Sequence, residues 1–382
     1  MALSTLNLAP GSELSSELVG PVAVFFTHGV SLELWEERGM FSREVRFFEE
    51  LARELGEVWF FTYGRNDVRY ADRLDSRIKI FPKCLPVPDV LYGLLLPFLH
   101  WRVLSCANSI RIHQVAGAIP ALIAHWLLHK PLIVRAGFQW YSFAKRQGAS
   151  RLKLATISLV ERLTYRSAHA IIHTTQQDAD FVRDRYHVDV NKLHIIPNWV
   201  DTDLFKPMNV EKQPRTVCYV GRLEEQKNLH ALVEAMQDTG ARLILYGEGS
   251  LRESLETRAR DLHVNVEFRG RIANEDLPHA LNACELFILP SLYEGNPKVL
   301  LEAMACGLPV IGTNVDGIAS VIEDGKTGVL CETSPESIRQ AITDLLADPT
   351  RRARLGAAAR EYVLACASLA RAIQQELPFY HL

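Results

Sequence analysis

Between residues 289 and 309 the chain reads LPSLYEGNPKVLLEAMACGLP, which combines the end of a strand, a loop and the start of a helix. The apolar run that ends at Leu289 has the length and composition of a buried strand. Glu294 and Gly295 lie in the loop, and Pro297 occupies a position where the first turn of a helix tolerates proline. Strand, loop and helix together form the repeating unit of an open parallel sheet, and ligands bind at the carboxyl ends of such strands.

The same alternation of short apolar runs and helical segments continues through the second half of the chain. The predicted strands are Val217–Val220, Leu243–Tyr246, Val264–Phe268, Leu286–Leu289 and Val310–Ile311. The predicted helices are Leu229–Met236, Leu251–Asp261, Asn274–Ala283, Pro297–Ala305 and Pro335–Leu346. This pattern predicts a doubly wound α/β domain that begins near residue 214.

The first half shows the pattern as well. The predicted strands are Val22–Phe26, Val58–Thr62, Ile110–His113, Leu132–Arg135 and Ala170–His173, and the predicted helices include Phe41–Leu55, Ala116–His129 and Leu152–Arg166. A chain of 382 residues is long for one core, so we expect two Rossmann-like domains that face a cleft. The expected division is a flexible tail 1–20, a domain 21–205, a linker 206–214, a domain 215–350 and a final helix within 351–382. We expect that helix, from Arg351 to about Gln375, to pack on the second domain or to cross back to the first.

Composition excludes several classes of function. A net charge of −3 gives no electrostatic reason to expect nucleic acid as a partner. The seven cysteines form no Cys-x-x-Cys pair and no histidine stands at zinc-ligand spacing, so we expect neither a disulfide framework nor a metal site. The first twenty residues have neither a basic start nor an apolar core, so no signal peptide is predicted and a cytoplasmic location is expected.

The most apolar stretch covers residues 85–104. Pro86, Pro88 and Pro97 interrupt it, so it does not form a clean membrane span. Two interpretations remain open: a buried helix with a loop, or a face that contacts the inner surface of a membrane peripherally.

Two further loops follow strands of the second domain. Gly221 permits a tight turn, and Arg222 and Lys227 put two cations beside one helix start, where they can neutralise a diphosphate without a metal. Solvated surface charges are the alternative. After the next strand, Gly247 and Gly249 let the backbone approach a ligand closely, although this pattern by itself indicates only a turn.

Glu294 and Glu302 stand on either side of the helix start. Because Glu302 follows that start by about one and a half turns, we expect both carboxylates to face the cleft at different depths. Carboxylates accept hydrogen bonds from vicinal sugar hydroxyls, and the helix start between them suits a phosphate. The alternative is one loop glutamate and one helix-surface glutamate.

The segment from Glu294 to Pro309, with Gly221-Arg222-Leu223 and Lys227 ahead of it, resembles the donor site of the retaining GT-B glycosyltransferases of the glycosyl transferases group 1 (sequence family 4). The stretch Ile196-Pro-Asn-Trp-Val-Asp-Thr-Asp-Leu-Phe205 is similar to the linker signature of that family. The resemblance covers nearly the whole second domain in motif order.

The resemblance implies specific roles. Glu294 would hold the transferring sugar, Arg222 and Lys227 the leaving diphosphate, and Glu302 the ribose; the first three would be the catalytic residues. The remaining donor contacts that it implies come from Gly295, Asn296, Pro297, Lys298 and Val299, from Arg271 and Ile272 beside the base, and from the glycine-bearing loop at Gly39. No metal or other cofactor is implied. Asp201-Thr-Asp203 copies a metal-binding pattern of another glycosyltransferase fold, but its place in the linker predicts a turn or helix cap.

The first domain is expected to bind the acceptor. Many relatives carry a histidine after the strand equivalent to Leu132–Val134, whereas this chain has Arg135 and Gly137 there, which puts a histidine-assisted mechanism in doubt. Arg135, Gly137 and His113 are therefore the acceptor-side candidates. A structural role is the alternative for His113.

The sequence thus predicts a retaining, metal-independent glycosyltransferase that moves a sugar from a nucleotide-sugar donor to a glycan or lipid-linked acceptor in polysaccharide or glycoconjugate biosynthesis. A nucleotide-sugar epimerase or hydrolase on the same fold is one alternative, and a non-catalytic sugar-binding protein is another. A dehydrogenase is disfavoured because neither domain has a full Gly-x-Gly-x-x-Gly after its first strand.

Overall fold

The computed structural model describes residues 20–137 and 139–381 and contains two parallel β-sheets, each covered by helices. The expected flexible tail, apart from Gly20, lies outside the described residues. The last strand of the first sheet ends at Ile195 and the first strand of the second sheet begins at Thr216.

The first domain has a seven-stranded sheet in the order β3-β2-β1-β4-β5-β6-β7. Its strands are β1 (Val22–Phe25), β2 (Val58–Phe61), β3 (Ile78–Phe81), β4 (Ser109–Ile112), β5 (Leu132–Ala136), β6 (Ala170–His173) and β7 (Leu193–Ile195). Its helices are α1 (Leu32–Glu37), α2 (Phe41–Leu55), α3 (Asp89–Leu99), α4 (Trp101–Ser105), α5 (Ala118–Leu128), α6 (Trp140–Arg146), α7 (Arg151–Ser167) and α8 (Gln176–Tyr186).

The second domain has a six-stranded sheet in the order β10-β9-β8-β11-β12-β13. Its strands are β8 (Thr216–Val220), β9 (Arg242–Tyr246), β10 (Val266–Gly270), β11 (Leu286–Leu289), β12 (Val310–Thr313) and β13 (Val329–Cys331). The remaining helices are α9 (Leu229–Ala235), α10 (Arg252–Asp261), α11 (Leu277–Asn282), α12 (Lys298–Ala305), α13 (Asp316–Ala319), α14 (Pro335–Ala347), α15 (Pro349–Cys366) and α16 (Leu369–Glu376).

The strand order decides where each domain can bind a ligand. The direction of winding reverses between β1 and β4 in the first sheet and between β8 and β11 in the second. A crevice forms at such a switch point, beyond the carboxyl ends of the strands. The loops that hold Arg222 and Glu294 follow β8 and β11, so the topology brings them to one crevice.

All predicted strands exist, with ends that differ by at most two residues, and Leu286–Leu289 and Ala170–His173 are placed as predicted. Three observed strands were not predicted: β3, β7 and β13. Each is an edge strand with partly exposed positions, so its sequence lacks the continuous apolar run of the buried central strands.

The prediction of one C-terminal helix from Arg351 to about Gln375 was wrong, because the structure has two helices there, α15 and α16. The break lies at Ala367, and the Ser368 hydroxyl caps α16 by accepting from the Arg371 amide at 3.3 Å. Before the break α15 packs on α12 of the second domain, and after it α16 packs on α2 of the first. At the break the Val200 amide donates to the Ala367 carbonyl at 2.9 Å and the Leu369 amide to the Val200 carbonyl at 2.8 Å. Both passages of the chain between the domains therefore pair with each other at Val200.

Candidate active site

A cleft of about 900 Å³ lies between the two domains at the carboxyl ends of both sheets. The second domain lines it with residues that follow β8 and β11, among them Arg222, Glu294 and Gly295, and the first domain adds Gly137 and Asp178. The cleft thus brings together two of the predicted catalytic residues and one of the acceptor-side candidates.

Glu294 and Lys227 form a close ion pair at the wall of this cleft. The Glu294 carboxylate also accepts from the Ser291 hydroxyl at 2.6 Å, and both side chains of the ion pair are largely buried. The pair puts a hydrogen-bond acceptor and an ammonium donor side by side. Such an arrangement can contact a sugar hydroxyl and a phosphate oxygen of the same ligand.

Arg222 faces the same cleft from the end of β8. Its carbonyl accepts from the Tyr219 hydroxyl at 2.9 Å, which fixes the turn that follows Gly221. In the part of the chain that the structure describes, no carboxylate lies within ion-pair distance of the Arg222 guanidinium. An exposed guanidinium without a carboxylate partner at a helix start suits an anionic ligand.

Glu302 lies elsewhere at the domain boundary, so the two glutamates do not share one opening. Its side chain is buried on α12 and borders a separate cavity of about 140 Å³, together with Arg43 of α2 and Trp199. Burial raises the pKa of Glu302, although Arg43 and Lys298 oppose this effect. The expectation that both carboxylates face one cleft at different depths was wrong, because Glu294 lies in the loop before α12 whereas Glu302 lies on the buried side of that helix.

Lys298 joins the two domains through Glu44. Its ammonium lies 3.1 Å from the Glu44 carboxylate and 4.7 Å from the centre of the Trp199 ring. Burial alone would raise the pKa of Glu44, but the charges of Lys298 and Arg43 outweigh it and hold the pKa well below its usual range. Sequence reasoning missed Glu44, whose only signal was its place in the first turn after the Gly39 loop.

His113 follows β4 on the other side of Glu44, with 3.7 Å between its Nε2 and the carboxylate. The rings of Phe26, Trp35 and Phe48 surround it. Burial lowers the pKa of His113 to about 4, so its ring is neutral at pH 7. His113 does not line the large cleft, and its contacts are with the boundary between the domains.

Asn296 binds the segment that links the domains. Its side-chain oxygen accepts from the Asn198 amide at 2.9 Å, and its carbonyl accepts from the Asn198 side chain at 2.6 Å. The loop that carries Glu294 is therefore tied to residues 196–199. Asn198 lay within the quoted linker segment but received no role, because its partner is 98 residues away.

Two family models match the chain next to each other. The model described as Glycosyltransferase Family 4 matches residues 39–204, and the model described as Glycosyl transferases group 1 matches residues 200–362. Together they span the first domain from the Gly39 loop, the linker and the second domain up to α15. The chain is a GT-B glycosyltransferase of group 1.

Curated relatives of this glycosyltransferase transfer sugars as well. The chain is 29% identical to the alpha-D-kanosaminyltransferase of Streptomyces kanamyceticus over 76% of its own length and 84% of that protein. It is 33% identical to a GDP-mannose-dependent phosphatidylinositol monomannoside mannosyltransferase of Mycobacterium tuberculosis, over 45% of this chain and 51% of that protein. The chain thus spans about half the length of the mannosyltransferase.

Solved structures agree with the fold of the glycosyltransferase. HepE from Anabaena, in complex with UDP and glucose, matches with a TM-score of 0.73 and 17% identity over 94% of this chain and 98% of that one. Sucrose-phosphate synthase from Thermosynechococcus elongatus matches with a TM-score of 0.73 and 23% identity over the same shares. At these identities the likeness supports the two-domain GT-B fold.

The glycines of the glycosyltransferase serve different purposes. Gly295 borders the cleft, and a Cβ there would have nothing within 4 Å. At Gly247, by contrast, a Cβ would lie 1.8 Å from the Gly221 carbonyl oxygen, so this glycine allows two loops to pack against each other. Gly39 has a left-handed φ of 65° in the loop before α2.

Other predicted donor residues do not line this cleft. Arg271 is exposed, pairs with Glu248 at 2.8 Å and donates to the Glu37 carbonyl, beside the Gly39 loop, at 3.3 Å. Ile272 and Val299 pack partly buried against the core of the second domain. Pro297 is the residue before α12 rather than its first residue.

Arg135 is buried and does not border the cleft, in contrast to Gly137. Its guanidinium donates to Glu376 of α16 at 2.7 Å and to the Pro197 carbonyl at 3.3 Å. Arg111 contacts the same carboxylate at 3.2 Å. Burial would raise the pKa of Glu376, but the two arginines hold it below its usual range. Sequence reasoning missed Glu376, because its partners stand 241 and 265 residues away.

The Asp201-Thr-Asp203 segment forms the predicted turn. The Asp201 carboxylate accepts from the amides of Asp203 at 3.0 Å and Leu204 at 3.3 Å, and from the Arg46 guanidinium at 3.1 Å. Across residues 20–137 and 139–381, no three side chains of His, Cys, Asp or Glu lie together in a way that suits a metal ion.

Proposed function

We propose that this glycosyltransferase moves a sugar from a nucleotide-sugar donor to a glycan or lipid-linked acceptor, with retention of anomeric configuration and without a metal, in polysaccharide or glycoconjugate biosynthesis. The observation that carries the proposal is the grouping of Arg222, Lys227 and Glu294 at the switch point between β8 and β11. GDP-mannose is the donor named for one relative, and UDP with glucose is bound in one structural neighbour; both support the donor class.

In this mechanism Arg222 and Lys227 contact the diphosphate and stabilise the negative charge that grows on it as the bond to the sugar breaks. In metal-dependent enzymes a divalent cation neutralises the charge of the leaving diphosphate. Here a guanidinium and an ammonium can neutralise it, which supports metal independence. Glu294 accepts from the sugar hydroxyls and orients the ring, while Lys227 holds the carboxylate in place. The role that the resemblance implies for Glu302, to accept from the ribose hydroxyls, requires the donor to extend into the separate cavity that Glu302 borders.

The acceptor enters from the first domain, past Gly137 and Asp178. The Asp178 carboxyl borders the cleft, and burial raises its pKa, although hydrogen bonds from Thr175 and Gln139 oppose this. The cytoplasmic location is part of the proposal, and the free state of all seven cysteines fits a reducing compartment. The proposed function also includes a peripheral contact of residues 85–104 with the inner face of the membrane.

A thermal-shift panel of UDP-, GDP- and ADP-sugars tests the donor site. We expect one nucleotide class to raise the melting temperature, because a ligand that binds only the folded state stabilises it. Stabilisation by none of them, far above a plausible dissociation constant, would contradict the donor site.

Two further measurements test the reaction itself. NMR of the product should show the anomeric configuration of the donor, and EDTA should leave the rate unchanged. Activity lost in EDTA and restored by manganese would contradict metal independence. Turnover of the donor at full rate without any acceptor would favour the epimerase or hydrolase.

A further inference from the structure

One segment of the sequence has a charge balance unlike the rest of the chain. Residues 90–160 contain eight lysines and arginines and no aspartate or glutamate. Extending the segment to residue 177 adds Arg162, Arg166 and a single acid, Glu161, so the net charge of residues 90–177 is +9. Because the whole chain has a net charge of −3, the rest of it carries −12. Two of these cations, Arg111 and Arg135, are buried and paired with Glu376, and the other basic residues leave the segment with a net positive charge.

The helices α3, α4, α5 and α7 of this segment form one layer on one face of the first sheet, to which its strands β4, β5 and β6 belong. Asp89, the first residue of α3, is paired with Lys83. Helix α5 packs against α3, α4 and α7, and the layer covers the sheet through a shared apolar core. The outward surface of these four helices is defined here as the outer helix face. Glu161 belongs to α7 but is buried and bonded to Tyr186, so it adds no negative charge to that face.

The outer helix face is unusually apolar. Twelve of the twenty large hydrophobic side chains that are exposed in the described residues lie on these four helices. On α7 they are Leu152, Leu159 and Leu163, spaced so that they share one side of the helix, and Leu152 is 80% exposed. Phe98 of α3 and Trp126 of α5 extend the apolar area across the layer. Contiguous apolar surface of this kind marks an interaction site.

Cations accompany these apolar side chains. Lys153, Arg162 and Arg166 of α7 and Arg102 of α4 are exposed. Among the described residues, none of these four has a carboxylate within ion-pair distance, whereas the exposed Arg269 and Arg271 of the second domain are each paired with a glutamate. Protein interfaces are depleted in lysine at their centres, whereas the interface of an anionic bilayer takes leucine and tryptophan into its acyl boundary and lysine and arginine at its phosphates.

We propose that the outer helix face docks the protein on a bilayer that contains anionic lipids. In the described residues no helix is long and apolar enough to cross a bilayer, so the contact is one of a surface lying on lipid. The proposal enlarges the contact of residues 85–104 to a face of four helices, and it does not depend on the proposed reaction.

The topology places the cleft beside the docked surface. In a parallel sheet each helix that follows a strand starts near the carboxyl end of that strand. Val90 and Leu91 of α3 and Leu152 of α7 stand in the first turns of their helices, and so at the cleft side of the layer. A docked enzyme would hold its cleft close to the lipid surface, where a lipid-linked acceptor lies.

Vesicle co-sedimentation tests the docking. With the full-length protein we expect at least about tenfold more binding to vesicles of phosphatidylcholine with a third phosphatidylglycerol than to phosphatidylcholine alone, and weaker binding as salt rises. The variant Lys153→Glu/Arg162→Glu/Arg166→Glu should lose about tenfold of that binding. The matched control Lys206→Glu/Arg260→Glu/Lys326→Glu changes the same charge on the second domain and should lose less than about twofold.

A second variant tests whether exposed leucines of the outer helix face insert into the bilayer, because electrostatic attraction alone would not require apolar side chains there. Leu152→Ser/Leu159→Ser replaces exposed side chains, so the fold should survive, and binding to the anionic vesicles should weaken at high salt most of all. Circular dichroism and urea unfolding report the folding of every variant independently of lipid and of any donor. Equal binding to both vesicle types, no binding to either, or an equal loss in the control would overturn the proposal. Self-association through this face without vesicle binding would overturn it in favour of a protein interface.

Discussion

Glu294 and Glu376 are both largely buried carboxylates that pair with basic side chains. They differ in position, because only Glu294 borders the cleft between the domains. Glu294 pairs with Lys227 beside the cleft, and the cation next to them, Arg222, has no carboxylate partner in the described chain. Glu376 is fully buried between Arg111 and Arg135, away from the cleft. The same kind of pairing therefore lines a cleft in one place and holds the last helix to the first domain in the other, and the difference lies in access to the cleft.

The largest effect is expected for Glu376→Ala, which leaves two buried guanidinium groups without a counter-charge. Breaking a buried pair from one side costs about 3–5 kcal/mol, so the free energy of unfolding in urea should fall by that much. Glu361→Ala on the exposed side of α15 is the control and should change it by less than about 0.5 kcal/mol. If the two variants unfold at the same urea concentration, Glu376 does not hold the fold.

Arg222→Ala should show the opposite profile. The free energy of unfolding should stay near that of the wild type because the side chain is exposed, while kcat should fall about a hundredfold, or about 3 kcal/mol, since the leaving diphosphate loses a cation. Steady-state kinetics and urea unfolding on the same preparation measure both. Loss of stability with an unchanged kcat would mean that Arg222, like Glu376, stabilises the fold and does not act on the ligand. Glu294→Ala and Glu302→Ala should also lose activity while staying folded.

Asn198→Ala tests the connection between the two regions. Asn198 follows Pro197, whose carbonyl accepts from Arg135, and it binds Asn296 in the donor loop. The variant loses the side-chain hydrogen bond to the Asn296 carbonyl, which costs about 1–3 kcal/mol if that carbonyl stays unpaired. We expect a higher KM for the donor with a smaller change in kcat. An unchanged KM would mean that the linker at Asn198 does not influence donor binding by the loop that carries Glu294.

The smallest effect is expected from pH. The folded-state pKa of Glu376 lies below its unfolded value of about 4.3, so the folded protein binds fewer protons and the stabilisation is complete above that pH. It is lost as the pH falls through the folded pKa, by about 1.4 kcal/mol per pH unit. Urea unfolding between pH 7 and pH 3 should show that the wild type loses its advantage over Glu376→Gln only below about pH 4. If the difference in the free energy of unfolding between the wild type and Glu376→Gln stays constant from pH 7 to pH 3, protonation of Glu376 does not control the stability.

The contrast also explains what the sequence could and could not predict. The positions of the loops after β8 and β11 were predictable because each loop belongs to a contiguous strand, loop and helix whose glycines, prolines and charges lie within about twenty residues. Central strands were predictable for the same local reason. Glu376 and Glu44 were not, because their roles arise from partners on other elements, and the short edge strand β7 carries no continuous apolar run. The placement of Arg135 in a buried cluster likewise depends on a helix that returns from the far end of the chain.

The seam at Val200 has a mechanical consequence. Because the chain crosses between the domains and returns at one place, its two covalent connections lie side by side at Val200 and not at two separated points. A rotation of one domain against the other about this place would displace each residue in proportion to its distance from Val200. Contacts far from the seam, such as Gln177 with Asp316 at 2.9 Å, then separate first, whereas Val200 and Ser368 hardly move.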